Sequence, residues 1–312
     1  MGWSASGVGR LDSTPHFVTV PAIMLTGMNE FGRLKRLAMR RPQEAMRNQA
    51  KVDTEWRDLN YHTRPDFGVA QREHDAFADI IRGVGAEIVY LPDDAALTMD
   101  SLYVRDAAAV SPKGVILCNM GKAARRGEPG IHGKAFEAAG IPVLGAVTGS
   151  GSIEGGDLIW LDEKTVAIGR TYRTNDEGIR QFKDMVGPDV HVEVTALPHY
   201  KGQSDVFHLM SIISPLDKDL QLVYSPLMPI PFREWLLAKG MNLVEVPDSE
   251  FAGMGCNVLA IAPREVVMVK GNPETKKRME AAGCKVHVIE ADAISVPGEG
   301  GPTCLTRPLI RG

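Results

Sequence analysis

The chain contains little cysteine, and its placement excludes two common kinds of site. Four cysteines stand at positions 118, 256, 284 and 304 of 312 residues, and no two of them share a CxxC spacing. Structural zinc sites and disulfide scaffolds both need clustered or regularly spaced cysteines. We therefore expect neither, and scattered free thiols favour a reducing, cytoplasmic location.

Excess positive charge, long apolar runs and nucleotide-binding loops are also missing. The formal net charge is −4, which argues against a nucleic-acid partner. The longest early apolar stretch, residues 17–25, is too short to span a bilayer. The glycine-rich stretches 148–157 and 296–303 fit neither G-x-G-x-x-G nor a P-loop. We expect a small-molecule ligand, and neither nucleic acid nor membrane as a partner.

One phrase recurs along the chain: a helical run, a glycine, and then a short strand rich in β-branched residues. Internal repeats of this kind predict a repeated structural unit. Glycine suits the end of a helix because the position there favours a left-handed backbone. Five glycines mark the phrase at intervals of roughly fifty residues: Gly85, Gly140, Gly187, Gly240 and Gly283.

A pair of strand-like runs lies between successive phrases, as in YVRDAAAV followed by GVILCNM. The last such run, TCLTRPL at residues 303–309, has its natural partner in LKRLAMRR at residues 34–41. The pattern predicts an α/β fold of five ββαβ units, a five-bladed pseudo-symmetric propeller closed by the two chain ends. Residues 1–30 are predicted to be an N-terminal extension and residues 31–312 a single propeller domain. A doubly wound α/β sheet is the competing interpretation.

Polar residues stand at the start of each of the five predicted first strands. Equivalent positions of all blades converge on the central axis of a propeller, so we expect these side chains to meet in one cavity. A thiol, an imidazole and carboxylates together are the set that nucleophilic catalysis requires. The residues are Arg105 with Asp106, Glu154 with Asp157, His208, Asn257, and Cys304. Each of them alone is also compatible with an ordinary structural role.

Four segments resemble the signature segments of the guanidino-group-modifying enzymes, the pentein or amidinotransferase-like superfamily. They are SLYVRDAAAV, SIEGGDLIWL, FHLMSIIS and GPTCLTRPL. The resemblance implies a five-bladed α/β propeller, in agreement with the repeats. It also implies that Cys304 is the nucleophile, His208 the general acid and base, and Glu154 and Asp106 the ligands of guanidine nitrogens. Asp100 is a weaker candidate for substrate binding, and Asp157 and Asn257 are grouped with these residues.

Met210 is where the chain departs from the family pattern. Deiminases and amidinotransferases of the superfamily read His-x-Asp at this place, whereas this chain reads His-Leu-Met. The dimethylarginine dimethylaminohydrolase branch also lacks that aspartate and reads His-Leu-Lys-Ser, so HLMS is most similar to that branch. An apolar Met210 predicts a less anionic pocket and a substrate less charged than arginine, or apolar around the reacting carbon.

The sequence therefore predicts a cysteine hydrolase that acts on the central N–C–N carbon of a guanidine-like substrate. A covalent S-linked intermediate would form, an amine or ammonia would leave, and no metal or organic cofactor is expected. Hydrolytic denitration of 2-nitroimidazole to an imidazolone and nitrite is a specific alternative. Amidinotransfer and a non-catalytic propeller that only binds a partner are further alternatives, and homo-oligomerisation is left open.

Overall fold

Fifteen strands form five separate three-stranded sheets in the computed structural model, which describes Met1 and residues 25–312. In every sheet the first strand pairs antiparallel with the second, and the second pairs parallel with the third. The sheets are, in that order, β3 (Ala108–Ser111), β4 (Gly114–Leu117) and β5 (Val143–Ala146); β6 (Leu158–Asp162), β7 (Thr165–Arg170) and β8 (His191–Ala196); β9 (Ile213–Asp217), β10 (Leu220–Val223) and β11 (Asn242–Glu245); β12 (Leu259–Ala262), β13 (Glu265–Val269) and β14 (Lys285–Ile289); and β15 (Arg307–Arg311), β1 (Leu34–Met39) and β2 (Glu87–Tyr90).

One helix precedes the third strand of each sheet, as the repeated phrase predicts. The described residues contain eight α-helices: α1 (Pro42–Ala45), α2 (Gln49–Glu55), α3 (Phe67–Gly83), α4 (Glu128–Ala138), α5 (Asp176–Val186), α6 (Ile230–Ala238), α7 (Asp248–Phe251) and α8 (Pro273–Ala281). The five marker glycines all have positive φ, between 73° for Gly140 and 88° for Gly187. Each therefore supplies the left-handed residue that ends a helix before the next strand.

Burial explains why the inner strands read as continuous apolar runs. The first two strands of each sheet are almost wholly buried. Among the third strands, β5 alternates between partly buried and exposed positions, and β11 has a single buried residue. A strand that is covered on both faces has no solvent side and therefore shows no polar alternation. The prediction of a five-bladed α/β propeller is confirmed, since residues 25–312 form five separate sheets and no doubly wound one.

The two ends of the described chain close the fifth blade. β15 runs antiparallel to β1, with Leu34 opposite Arg311 and Ala38 opposite Arg307. The predicted pairing of LKRLAMRR with the C-terminal run is therefore present. None of the described helices combines the length and apolar character that crossing a lipid bilayer requires.

Most of the predicted N-terminal extension, residues 2–24 with the greater part of its apolar stretch, lies outside the described residues. Residues 25–30 pack against the propeller, because Leu25 and Met28 are buried and the backbone N–H of Arg311 donates to the carbonyl oxygen of Thr26 at 3.0 Å. Glu30, the last residue of the predicted extension, is also buried.

The first strands begin later than the sequence pattern predicts. TCLTRPL was expected to be strand from residue 303, but β15 begins at Arg307, and β9 begins at Ile213 within the predicted strand FHLMSIIS. Short turns and 3-10 segments occupy the difference, such as Leu209–Ser211. The polar residues chosen as candidates stand in these turns, where a side chain can reach inward without belonging to the sheet.

Candidate functional site

Cys304 lies in the turn that leads into β15, held by contacts to two other blades. Its carbonyl oxygen accepts a hydrogen bond from the backbone N–H of Arg105 at 3.1 Å. Asn257 Nδ2 donates to the Cys304 sulfur at 3.3 Å. Cys304 is partly exposed, whereas the other three cysteines are buried. Of the four thiols, Cys304 is therefore the one that a dissolved substrate can reach.

Asn257 contacts both the Cys304 thiol and the turn that carries it. Its Oδ1 accepts from the backbone N–H of Thr303 at 3.1 Å and from Thr303 Oγ1 at 2.7 Å. The amide thus holds the residue before Cys304 while its nitrogen contacts the sulfur. This placement favours a positioning role over the predicted substrate contact.

His208 and Glu154 form a buried pair beside the thiol. His208 Nε2 lies 2.8 Å from Glu154 Oε2, and both side chains are nearly inaccessible to solvent. Glu154 Oε1 accepts from the backbone N–H groups of Gly121 at 2.9 Å and Lys122 at 3.2 Å. Arg173 Nη1 lies 3.4 Å from the same oxygen. Both carboxylate oxygens are therefore engaged, and one of them holds the imidazole.

Asp106 faces the other nitrogen of His208. Its Oδ1 lies 3.9 Å from His208 Nδ1 and has no hydrogen-bond partner among the described residues. Its Oδ2 accepts from Arg125 Nη1 at 2.6 Å. A buried acceptor without a partner is costly unless something else supplies the donor. Oδ1 is therefore a ready acceptor for an N–H group of a ligand.

The remaining predicted residues fall in three different places. Asp100 lines the cavity and pairs with Lys122 Nζ at 2.5 Å. Asp157 does not line the cavity, because its oxygens accept from the backbone N–H of Leu209 at 2.9 Å and from Thr171 Oγ1 at 2.7 Å. Asp157 therefore fixes the turn after His208, and its placement does not support direct substrate contact. Met210 is 2% exposed and lines an apolar recess.

Two lobes of open space meet at Cys304 and His208. The larger has a volume of about 420 Å³ and is lined mainly by polar groups, including Asp100, Asp106 and Lys122. The smaller, of about 70 Å³, is lined largely by apolar side chains, including Met210. The other apolar side chains of the small lobe are Tyr200, Val206, Phe207, Phe251, Ala252 and Met254.

Burial and neighbouring charge shift the pKa values of the central groups. Burial alone lowers the pKa of His208, but the negative charges of Asp157 and Asp106 and the hydrogen bond to Glu154 outweigh it and raise that pKa. Burial alone raises the pKa of Glu154, yet the hydrogen bond and charge of His208, with Arg173, hold it below its usual range. The pair therefore exists as carboxylate and imidazolium at neutral pH.

The Cys304 thiol is shifted in the opposite sense to an activated cysteine. Burial raises the pKa of Cys304, and the negative charge of Asp106 raises it further, while the Asn257 hydrogen bond partly opposes both. The thiol is therefore protonated at neutral pH without a ligand. A cation placed near Asp106 would favour the thiolate, since an opposite charge stabilises the charged form.

Asp106, Glu154 and His208 bring ligand atoms within 4.8 Å of one another, which makes them a candidate metal set. The surroundings do not suit a metal ion. Arg125 already pairs with Asp106 and Arg173 with Glu154, and the raised pKa of His208 keeps the imidazole protonated. A metal ligand must instead be the neutral imidazole. The donor set fits an organic N–H donor better than a metal ion.

Two arginines, Arg125 and Arg173, line the larger lobe. Arg307 is buried elsewhere, with its Nη1 donating to the Ala108 carbonyl oxygen at 3.0 Å. Lys122, Tyr61 and Tyr103 also line this lobe and are not among the residues predicted from the sequence. These residues lie outside the equivalent blade positions, so the repeats carried no signal for them.

The pH dependence of thiol alkylation tests the electrostatics of the site. With the pKa of Cys304 raised, its reaction with iodoacetamide should have a midpoint above the value of about 8.5 for a free cysteine. Asp106→Asn removes the nearest negative charge that raises the pKa and should move the midpoint down. Peptide mapping by mass spectrometry separates Cys304 from the other thiols. A wild-type midpoint near neutral pH would contradict this description.

Gly156 packs directly against the pair formed by His208 and Asp106. A Cβ atom at Gly156 would lie 2.5 Å from His208 Nδ1 and 2.9 Å from Asp106 Oδ1. Gly156→Ala should therefore displace the imidazole and lower kcat by about 100-fold, the usual cost of a misplaced reacting group. The matched control is Gly130→Ala, where nothing lies within 4 Å of the new Cβ. Equal activities of the two variants would contradict the assigned geometry.

Curated relatives are similar to this chain over most of its length. A Bacillus subtilis protein, YkgA, is 28% identical over 286 residues, which covers 91% of this chain and 94% of that protein. An N(G),N(G)-dimethylarginine dimethylaminohydrolase of Pseudomonas aeruginosa is 24% identical over 251 residues, covering 78% and 89%. An arginine deiminase of Listeria welshimeri is 28% identical over 256 residues. This chain spans 61% of the length of that deiminase.

Solved structures share the fold at low sequence identity. The Pseudomonas aeruginosa dimethylarginine dimethylaminohydrolase, in a cysteine-to-serine form bound to citrulline, has a TM-score of 0.72 and 22% identity, covering 90% of this chain and all of that one. The amidinotransferase SxtG of Microseira wollei has a TM-score of 0.73 and 14% identity, covering 92% and 97%. These likenesses establish the five-bladed pentein fold.

A family model described as N,N dimethylarginine dimethylhydrolase, eukaryotic, matches residues 41–311. The match includes every strand of the five sheets except β1, and it includes every candidate site residue. The expected resemblance to the pentein superfamily is thereby confirmed. The chain belongs to the N,N-dimethylarginine dimethylhydrolase family.

Proposed function

We propose that this protein is a hydrolase that uses Cys304 to attack the central N–C–N carbon of a guanidine or guanidine-like substrate. One observation carries the proposal: the partly exposed thiol shares a cavity with the His208 and Glu154 pair and with the unpartnered Asp106 Oδ1. These are a nucleophile, a proton carrier and an acceptor for substrate N–H groups. The named dimethylaminohydrolase and deiminase relatives agree with hydrolysis of a C–N bond.

Substrate binding supplies the charge that activates the thiol. In this scheme Asp106 Oδ1 accepts an N–H of the substrate and fixes its planar N–C–N unit near the sulfur. A cationic substrate offsets the negative charge of Asp106, which otherwise raises the pKa of Cys304. The thiol therefore loses its proton to solvent mainly when the substrate is present, because His208 is already protonated. The free enzyme keeps an unreactive thiol.

Attack by the Cys304 sulfur forms a C–S bond and a tetrahedral carbon. His208, protonated through its contact with Glu154, donates a proton to the departing nitrogen as the C–N bond breaks. An S-linked amidine remains on Cys304. The neutral imidazole then removes a proton from water, whose oxygen attacks the same carbon and releases the sulfur. The net change is replacement of an amine or ammonia by oxygen, and water is the only reactant besides the substrate.

Glu154 is proposed to act through His208. Its Oε2 contacts His208 Nε2, and its Oε1 accepts two backbone N–H groups. Without a ligand it has little remaining capacity to accept an N–H of the substrate, so the expected role as a guanidine ligand is secondary. Its main proposed task is to hold the imidazole in place and charged.

A substrate panel tests the proposal directly. Dimethylarginine, arginine, agmatine and 2-nitroimidazole are each incubated with the wild-type protein, and dimethylamine, ammonia and nitrite are measured separately. Release of an amine or ammonia from at least one guanidine, with a ureido product, is the expected result. Turnover of none of the guanidines and no nitrite release would contradict the proposed hydrolase. Release that depends on an added amine acceptor would indicate amidinotransfer instead.

The small apolar lobe favours a second candidate substrate, 2-nitroimidazole. This heterocycle presents the same N–C–N carbon, and nitrite would be its leaving group. Met210 and several aromatic side chains line the small lobe, and Asp205 and Glu299 are the carboxylates among its lining residues. In such surroundings a neutral ring loses less binding free energy than a guanidinium does. Nitrite release without activity on the guanidines would establish this candidate over the first.

Met210 is proposed to set the preference between charged and neutral substrates. Met210→Asp places a carboxylate in the small lobe and should raise the ratio of kcat/KM for arginine over 2-nitroimidazole. A hydrogen bond to a charged group contributes about 1.5–3 kcal/mol, so the ratio should rise by roughly 10- to 100-fold. Met210→Leu, which conserves volume, should leave the ratio unchanged. Equal ratios in all three proteins, with folding confirmed by thermal melts, would contradict the assignment.

A further inference from the structure

A second charged cluster is buried outside the reaction cavity, where the end of the predicted extension meets β15. Arg105, Arg307 and Arg311 are exposed by 0%, 3% and 3%, and Glu30 by 5%. Glu30 lies 3.3 Å from Arg105, 3.7 Å from Arg307 and 3.8 Å from Arg311. One carboxylate therefore faces three guanidinium groups, which leaves an excess of two positive charges.

Nothing else among the described residues balances this charge. The other titratable groups that interact with these arginines are Cys118 and Cys304, and burial raises the pKa of both, so both thiols are neutral. Backbone carbonyl oxygens accept some of the guanidinium donors, as Gly32 does from Arg311 Nη1 at 2.6 Å. Carbonyl dipoles carry no net charge, however, and buried charges are normally paired.

Three guanidinium nitrogens of the cluster have no hydrogen-bond partner in the described part of the chain. They are Arg307 Nε, Arg311 Nε and Arg311 Nη2. Buried donors without a partner are rare in folded proteins and usually mark a bound water or ion. Two side chains from one strand thus present unused donors beside the same carboxylate.

A small cavity adjoins these donors. Its volume is about 20 Å³, and Glu30, Arg307 and Arg311 line it together with Trp160 and Met28. A cavity needs about 10–15 Å³ to hold one water-sized particle. The space is therefore large enough for one particle the size of a water molecule or a monatomic ion. A water molecule would satisfy donors, but it would not offset the excess charge.

We propose that this cavity binds one monovalent inorganic anion, with chloride as the ion available in solution. The anion would accept hydrogen bonds from Arg307 Nε and from Arg311 Nε and Nη2, the three donors that are unused. It would also offset part of the charge excess that Glu30 leaves. The site is distinct from the reaction cavity, since no residue lines both.

The bound anion would stabilise the turn that carries Cys304. Arg105 Nε donates to the Thr303 carbonyl oxygen at 2.7 Å, and the Arg105 backbone N–H donates to the Cys304 carbonyl oxygen at 3.1 Å. Electrostatic repulsion among the three arginines would weaken these two hydrogen bonds of Arg105. Partial neutralisation of the cluster therefore supports the position of the turn without contact with the substrate.

Bromide locates the site in the wild-type protein, because it replaces chloride and scatters X-rays anomalously. Crystals of the full chain grown in sodium bromide should show an anomalous peak between Arg307 and Arg311. In solution, the unfolding midpoint at constant ionic strength should rise by roughly 2–4 °C, and saturate, as chloride replaces gluconate. An absent bromide peak, or a peak without a saturable effect in solution, would overturn the proposal.

Glu30→Gln distinguishes specific binding from general salt screening. Removal of the competing carboxylate increases the positive excess, so the chloride concentration at half-saturation should fall by several-fold. Screening alone would give the same dependence for chloride and gluconate in both proteins. Asp12 is the one acidic residue among positions 2–24, and Asp12→Asn should leave the halide effect unchanged. Halide binding that occurs in Asp12→Asn but not in the wild-type protein would show that the Asp12 carboxylate occupies the site. That result would overturn the proposal.

Discussion

Cys304→Ser should abolish turnover of every substrate that the wild-type protein accepts, while the fold stays intact. A serine hydroxyl is a far weaker nucleophile than a thiolate. The charges of Asp157 and Asp106 and the hydrogen bond to Glu154 keep His208 protonated, so it cannot serve as a base for the hydroxyl. We expect kcat to fall on the order of 10⁴-fold or more, the scale seen when a nucleophile is removed from a catalytic unit. Product release is the measurement.

Cys284→Ser is the matched control for this substitution. Cys284 is buried beside β14 and packs in an apolar cluster that does not include Cys304. It should cost some thermal stability and leave kcat unchanged. Full activity of Cys304→Ser, or an equal loss in both variants, would show that the thiol of Cys304 has no special part in the reaction.

Removal of residues 307–312 should prevent formation of the closed ring. β15 supplies the antiparallel partner of β1, and its loss uncovers Leu34, Leu37 and Met39, which are all fully buried. It also deletes the buried Leu309 side chain. A single buried leucine contributes about 2–5 kcal/mol when truncated, and the whole stability of a domain is about 5–15 kcal/mol. The truncated chain should therefore show no cooperative thermal transition.

A shorter truncation provides the control for ring closure. Loss of Gly312 alone removes two backbone hydrogen bonds with Arg33, of 2.9 Å each, and leaves β15 complete. It should lower the midpoint by a few degrees only, since each hydrogen bond contributes about 1 kcal/mol. A cooperative transition at the wild-type temperature in the chain without residues 307–312 would contradict the pairing of the two ends.

The repeats made most of the fold predictable, because helix, glycine and strand are local features. Each marker glycine takes the left-handed conformation, and each strand pair forms where two apolar runs adjoin. The starts of the first strands were wrong, because turn segments such as FHLM have the same apolar composition as a strand. Local composition does not separate a buried turn from a buried strand.

Within the candidate site, only the residues at equivalent positions of the five blades could be predicted from the sequence. They identified Cys304, His208, Glu154 and Asp106, which line one cavity. Asp157 was included because it adjoins Glu154 in sequence, yet its carboxylate supports the His208 turn from behind. Arg105 turns away from its neighbour Asp106 to Glu30, which is 75 positions distant in the chain. Contacts of that kind depend on the closed ring and leave no local trace in the sequence.

Trapping of the covalent intermediate tests the proposed mechanism most directly. The wild-type protein is mixed with its most active guanidine substrate, quenched in acid within milliseconds to seconds, and analysed by intact mass and peptide mapping. We predict a mass increase equal to the substrate minus its amine or ammonia leaving group, confined to the peptide that contains Cys304. Cys304→Ser should show no such increase. Steady turnover with no adduct in any quenched sample, and persisting in Cys304→Ser, would contradict nucleophilic catalysis by Cys304.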